Sequence, residues 1–169
     1  VLGVTTLKAQ TDVTSTYLTN ADFEGSYKSL YKVNSNRHIY QPEGWTVDYK
    51  NESTNNMTVL ENTDAQASNF SGTYAIPDNT KRYMVRFRDN KPKEYIDLSQ
   101  TITIQETGKY TFSAEMIRED GSKVDVSLYV GEMSVSNANP GVWENRSFAI
   151  ILSAGDVVKV GLKFRNIAA

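Results

Sequence analysis

Between residues 81 and 164 apolar and polar positions alternate in a series of short segments. In KRYMVRFR (81–88), Tyr83, Val85 and Phe87 fall on one face and Arg82, Met84, Arg86 and Arg88 on the other. In KVDVSLYV (123–130), Val124, Val126, Leu128 and Val130 alternate with Asp125, Ser127 and Tyr129. Period two is the spacing of a β-strand with one buried face and one solvated or half-covered face. DLSQTITI (97–104), GKYTFSAEMIRE (108–119), VWENRSFAIILS (142–153) and GDVVKVGLKF (155–164) are further strand candidates, each bounded by Gly, Asp, Asn or Pro.

The first half is less regular. From Asp12, Val13 and Tyr17 alternate with polar residues and predict a first strand running into TNADFEG (19–25). Residues 25–43 keep no sustained period and predict a long connection. GWTVDY (44–49) and NMTVLEN (56–62) predict two short strands joined by a hairpin-like turn, KNESTN (50–55), and residues 63–80 predict a second long loop. Loops of this length often carry binding surfaces. No segment sustains a period of 3.6, which argues against an α/β scaffold. The strands and turns predict an all-β fold, an antiparallel two-sheet jelly-roll sandwich. The expected organisation is a single domain over 11–169, part of a longer protein. Residues 1–10 read as a signal-peptide remnant or as a disordered tail or short edge strand.

Composition supports this picture and removes several functions. The 169 residues include ten Tyr, six Phe and two Trp, enough for a packed core, within a chain rich in Asn, Ser and Thr. A formal charge of -2 offers no broad positive field for nucleic acid or an anionic bilayer. The absence of cysteine excludes disulfides, thiol nucleophiles and thiolate-bound zinc. No run approaches the ~18 apolar residues that a membrane-spanning helix needs.

The order TNADFEG, GWT, LSQTITIQETGKYTFSAEMI and KVDVSLYV resembles the galactose-binding-like β-sandwich modules, similar to carbohydrate-binding modules, of secreted Bacteroidetes proteins that process polysaccharides or mediate adhesion. Asn20, Phe23 and Glu24 match the family's first turn, and Gly44 and Trp45 the pair that opens a strand. Gln100, Ile102, Ile104, Gly108, Tyr110, Phe112 and Ser113 match its central hairpin. The resemblance covers most of residues 12–164 and implies a secreted, cell-surface or periplasmic location, a glycan partner and neighbouring domains. It also implies an inward-facing Trp45 and a structural calcium near Glu24. The family's final strand commonly opens with an Asp-Asn or Asp-Asp pair that helps hold this ion, whereas here Arg165 and Asn166 stand near that place.

The chemistry of the residues leaves several readings open. Asn20, Asp22 and Glu24 are candidate calcium ligands, or else polar groups that satisfy the amides of a turn around Phe23. Calcium takes about six to eight oxygens at ~2.3–2.6 Å, more than two carboxylates provide, so no cofactor is required and a structural calcium is the one candidate. Glycoside hydrolysis needs two carboxylates about 5 to 9.5 Å apart across a cleft, and no local signature marks a proton donor. His38 is the single histidine; it has no partner for a zinc site, and no nucleophile elbow is present.

Sugar recognition asks for aromatic faces beside hydrogen-bonding groups. Tyr31, Arg37 and Tyr40 in the first predicted loop, Phe70 and Tyr74 in the second, and Trp143 and Asn145 at a later strand are the candidates. Arg82 and Arg86 add a positive stripe able to pair with uronates or an acidic partner. The expectation is a noncatalytic module that binds an oligosaccharide or polysaccharide. The alternatives are a structural or protein-interaction domain and, further off, a polysaccharide hydrolase.

Overall fold

A computed structural model describes residues 10–34, 37–50, 57–60, 83–87, 94–121 and 123–167. Its elements are α1 (Thr14–Tyr17), β1 (Tyr27–Asn34), β2 (Arg37–Pro42), β3 (Thr46–Lys50), β4 (Met57–Leu60), β5 (Met84–Phe87) and β6 (Tyr95–Thr103). They continue with β7 (Gly108–Met116), β8 (Val124–Val130), β9 (Met133–Ser136), β10 (Glu144–Leu152) and β11 (Val157–Asn166). All strand pairs are antiparallel. One sheet runs β1-β2-β4-β5, a second pairs β10 with β7, and the third runs β3-β6-β11-β8-β9.

The alternating residues explain why the sheets face each other. Val47, Ile96, Leu98, Val126, Leu128 and Phe164 project from the five-stranded sheet into one core. Ile39 of β2 and Met116 of β7 meet them from the other side, with Phe112, Ala114 and Phe148 packed against the same cluster. A smaller cluster of Ile102, Ile104, Val130, Leu152 and Val160 extends the core. The chain crosses from the five-stranded sheet to β7, back to β8 and β9, out to β10 and back to β11, the alternation of a jelly-roll sandwich.

Three expectations are corrected. Asp12 Oδ1 accepts the Thr14 N–H at 2.9 Å and Leu18 N–H bonds to Thr14 O at 2.8 Å, so residues 14–17 close into one helical turn rather than a strand. A side chain that bonds to the nearby backbone diverts the chain from a ladder. Within 25–43, Tyr27–Asn34 and Arg37–Pro42 pair as the antiparallel strands β1 and β2 instead of forming a connection. Register shifts between Ser29 and Tyr31 and between Lys32 and Asn34 break the alternation that would have betrayed it. β3 and β4 are not hairpin partners: β3 pairs with β6, while β4 pairs with β2 and β5. Much of the predicted turn between them, and the loop at 63–80, lie outside the described residues.

The turn before β1 is tied into the core. Asn20 has φ 50° and Phe23 φ 62°. Asn tolerates this region, but a bulky residue there is strained by about 1–3 kcal/mol. The Phe23 N–H bonds to Asn20 O at 3.2 Å, and the Tyr27 hydroxyl donates to Phe23 O at 2.8 Å. The Phe23 ring lies 5.2 Å from Trp45 and 6.0 Å from Tyr83, centre to centre. Trp45 is 6% exposed, and its indole N–H donates to Asn20 O at 3.0 Å. Gly44 precedes it at φ +79°, where a Cβ would meet the Thr19 side chain at 2.7 Å. Trp45 is thus inward-facing, as the resemblance implied.

Phe23→Ala removes the ring that offsets its own backbone strain. It is expected to lower unfolding free energy by roughly 2–4 kcal/mol in urea titrations; a loss below about 0.5 kcal/mol would mean that Phe23 does not anchor the turn.

Candidate functional site

The face of the five-stranded sheet that points away from the core is polar and charged. Register places Asp48 opposite Asp97, Asp97 opposite Lys163, and Lys163 opposite Ser127. The adjacent row is Lys50, Tyr95, Arg165 and Asp125. An open groove of about 390 Å³ lies here, with Asp48, Tyr95, Asp97, Lys163 and Arg165 among its walls and the buried Glu94 lining it.

Two like charges directly opposite across a strand pair are destabilising, so Asp48 and Asp97 need partners. The Tyr95 hydroxyl donates to Asp48 Oδ2 at 3.2 Å. Asp97 is only 9% exposed; its Oδ1 accepts the Tyr129 hydroxyl at 2.5 Å and its Oδ2 the Lys159 ammonium at 2.9 Å. Both oxygens of the buried carboxylate are therefore held.

A glycine makes this network possible. Tyr129 stands on β8 and Asp97 on β6, with β11 between them, so the phenol must cross β11. It does so over Gly161, where a Cβ would meet the Tyr129 ring at 2.9 Å and its hydroxyl oxygen at 3.0 Å, and would also collide with Leu98 O. Glycine within a strand often marks such a close approach. Lys159 and Lys163, two residues to either side of Gly161, hold their ammonium groups 5.8 and 4.2 Å from the centre of the Tyr129 ring. Burial, then the hydrogen bond to Asp97 and its charge, push the Tyr129 hydroxyl up to about 12. The hydrogen bond to Asp97 is the largest influence raising Lys159.

The residues expected from sequence are placed elsewhere. Tyr31 and Tyr40 are half-buried and pack against the core from the β1–β2 hairpin; Tyr40 stacks on His38, ring centres 5.2 Å apart. His38 Nδ1 is 2.7 Å from the Ser29 hydroxyl. Arg37 occupies the first position of β2, opposite Asn34, and Arg86 lies in β5 opposite Thr58. Phe70, Tyr74 and Arg82 lie outside the described residues. Trp143 is half-buried just before β10, and Asn145 is exposed opposite Glu115 of β7, on a different sheet from the groove. Glu144 between them accepts bonds from the Asn137 and Asn139 side chains and from the Ala138 and Asn139 amides, which ties down the loop after β9.

Sequence reasoning missed the groove residues Asp48, Tyr95, Asp97, Lys163 and Arg165, and Tyr129 and Lys159, which support Asp97. Their signal was present in the polar members of each alternating strand and in the mid-strand Gly161.

At the candidate metal turn Asn20 and Asp22 make hydrogen bonds within the protein. Asn20 Oδ1 accepts Gly25 N–H at 2.8 Å, Asn20 Nδ2 donates to Glu43 O at 3.2 Å, and Asp22 Oδ1 accepts Glu24 N–H at 3.2 Å. Among the described residues no three His, Cys, Asp or Glu side chains gather into a metal-binding set.

No family model matches the chain, and no curated protein matches it. Among solved structures, the chain is similar to TmCBM61, described in complex with beta-1,4-galactotriose. The identity is 15% over 75% of this chain and 81% of that one, with a TM-score of 0.42.

Two outcomes are expected. The hydrogen-bonded turn at Asn20 predicts that EGTA leaves the melting temperature unchanged, whereas a clear fall on chelation would give the turn a calcium after all. The Tyr129 hydroxyl has a folded-state value near 12 against an ordinary value of 10.0. Its protonated form therefore stabilises the fold fully below pH 10 and less as pH rises through 12. Tyr129→Phe should lower stability at pH 8 and make the alkaline decline shallower than in the parent; an identical decline in both proteins would show that Tyr129 carries none of it.

Proposed function

We propose that the chain is a noncatalytic carbohydrate-binding module of the galactose-binding-like kind, acting within a secreted or cell-surface protein, and that its glycan lies in the groove of the five-stranded sheet. The observation that carries this reading is the pairing of Asp48 with Asp97 on an outward face. Two facing carboxylates cost stability, and the chain keeps them with Tyr95, Tyr129 and Lys159 in support. Such an array offers fixed acceptors and donors for sugar hydroxyls, and the Tyr95 ring offers an apolar surface beside them. The volume falls within the ordinary range for small-ligand sites.

Binding of this kind raises the local concentration of whatever the module is joined to. Both oxygens of Asp97 are engaged by Tyr129 and Lys159, which supports a binding role for that carboxylate. A protein-interaction role is the second reading, favoured by Ile151 and Val157 on either side of the β10–β11 turn, 75% and 65% exposed.

Glycan-array screening of the intact chain followed by calorimetry tests the proposal. Saturable binding is expected, and Asp48→Ala combined with Tyr95→Ala should weaken it by roughly tenfold or more while the circular dichroism stays that of the parent. Absence of saturable binding across plant, host and bacterial polysaccharides would overturn it and favour the second reading.

A further inference from the structure

The charged groups of the groove are not equally satisfied. Asp48 receives a hydroxyl, and Asp97 receives a hydroxyl and an ammonium. Lys163 and Arg165 are held differently. They stand two residues apart on the outward face of β11, ~7 Å along the strand, and both line the groove. Lys163 rests on the Tyr129 ring, and Asp97, its neighbour on β6, is already paired with Lys159. Arg165 faces Tyr95 on one side and Asp125 on the other, yet among the described residues neither cation makes an ion pair. Of the acids that line the groove, Asp48, Glu94 and Asp97, the last has its cation in Lys159, whereas Lys163 and Arg165 make no ion pair among the described residues.

We infer that the groove selects a glycan bearing carboxylates, a uronic-acid polymer, with one sugar carboxylate received by Lys163 and Arg165. This rests on the reading of the groove as a glycan site. Arginine presents a planar fork that matches a carboxylate in two hydrogen bonds, and a lysine beside it adds a point charge. The Asp48 side of the groove, acceptor-rich and closed to a second anion, then takes hydroxyls.

The test is calorimetry on the intact chain with four ligands: an α-1,4-linked galacturonate oligomer, its methyl ester, a neutral galacto-oligosaccharide and a sulfated galactan. The parent is expected to bind the acid at least about tenfold more tightly than the ester, with affinity falling as salt rises. Lys163→Gln with Arg165→Gln should erase that preference, so that acid and ester bind the variant equally. Equal affinity for acid and ester would overturn the uronate inference and leave the glycan reading standing. Tighter binding of the sulfated galactan than of the galacturonate would also overturn it, whereas failure to bind any of the four would count against both readings. Should the double variant fail to fold, the acid-versus-ester comparison on the parent decides alone.

Discussion

The structure depends on the strict alternation of β11, the middle strand of the five-stranded sheet. Val158, Val160, Leu162 and Phe164 face the core, and Lys159, Gly161, Lys163 and Arg165 face out. Nine residues of this strand pair with β6 and seven with β8, so its register fixes both the core and the groove. A slip of one residue would carry Phe164 to solvent and Lys163 into the core. Because the core cannot accept that exchange, the relative positions of Asp97, Lys159 and Lys163 are set as firmly as the packing beneath them.

Gly161 is where the two faces impose different demands on one residue. A strand interior favours a β-branched side chain, and glycine there gives up conformational entropy and packing. What the chain gains is a path for Tyr129 across β11 to Asp97. A buried carboxylate left without partners would be expensive; with the phenol on one oxygen and Lys159 on the other it becomes a fixed part of the surface. The cost at Gly161 is thereby linked to the charge at Asp97, although the two residues lie on different strands.

The β6-to-β11 half was largely legible, because Val126, Leu128 and their partners alternate without interruption and the core follows from that period. The pairing of β1 with β2 was hidden by its two register shifts, and the helical turn at Thr14 by a single aspartate that bonds to the backbone. The groove was harder to foresee for a different reason. Each of its residues sits at an unremarkable polar position in its own strand, and only the pairing order β3-β6-β11-β8 brings Asp48, Asp97, Lys163 and Tyr129 together. Sequence periodicity assigns a face to each residue but says nothing about which strands are neighbours. The aromatic residues of the β1–β2 hairpin illustrate the converse: Tyr31 and Tyr40 stood out by type, and the sheet turns them toward the core.

For the proposed glycan role, the placement of the groove on strands rather than loops matters. Loop sites commonly order on binding and lose affinity to that ordering. Here the acceptors and donors are held before any ligand arrives: Tyr95 by its bond to Asp48, Tyr129 by Gly161 and Asp97, Lys163 by the ring beneath it. A rigid, open face of this kind can accept a segment of a long polymer without closing over it, which suits attachment to an extended glycan better than enclosure of a small substrate. The same openness leaves the groove in contact with water, where a single charge pair is weak, so a preference for a carboxylate needs Lys163 and Arg165 to act together at a fixed spacing. That places the discriminating burden on the fixed spacing of β11, the strand whose alternation also holds the core together.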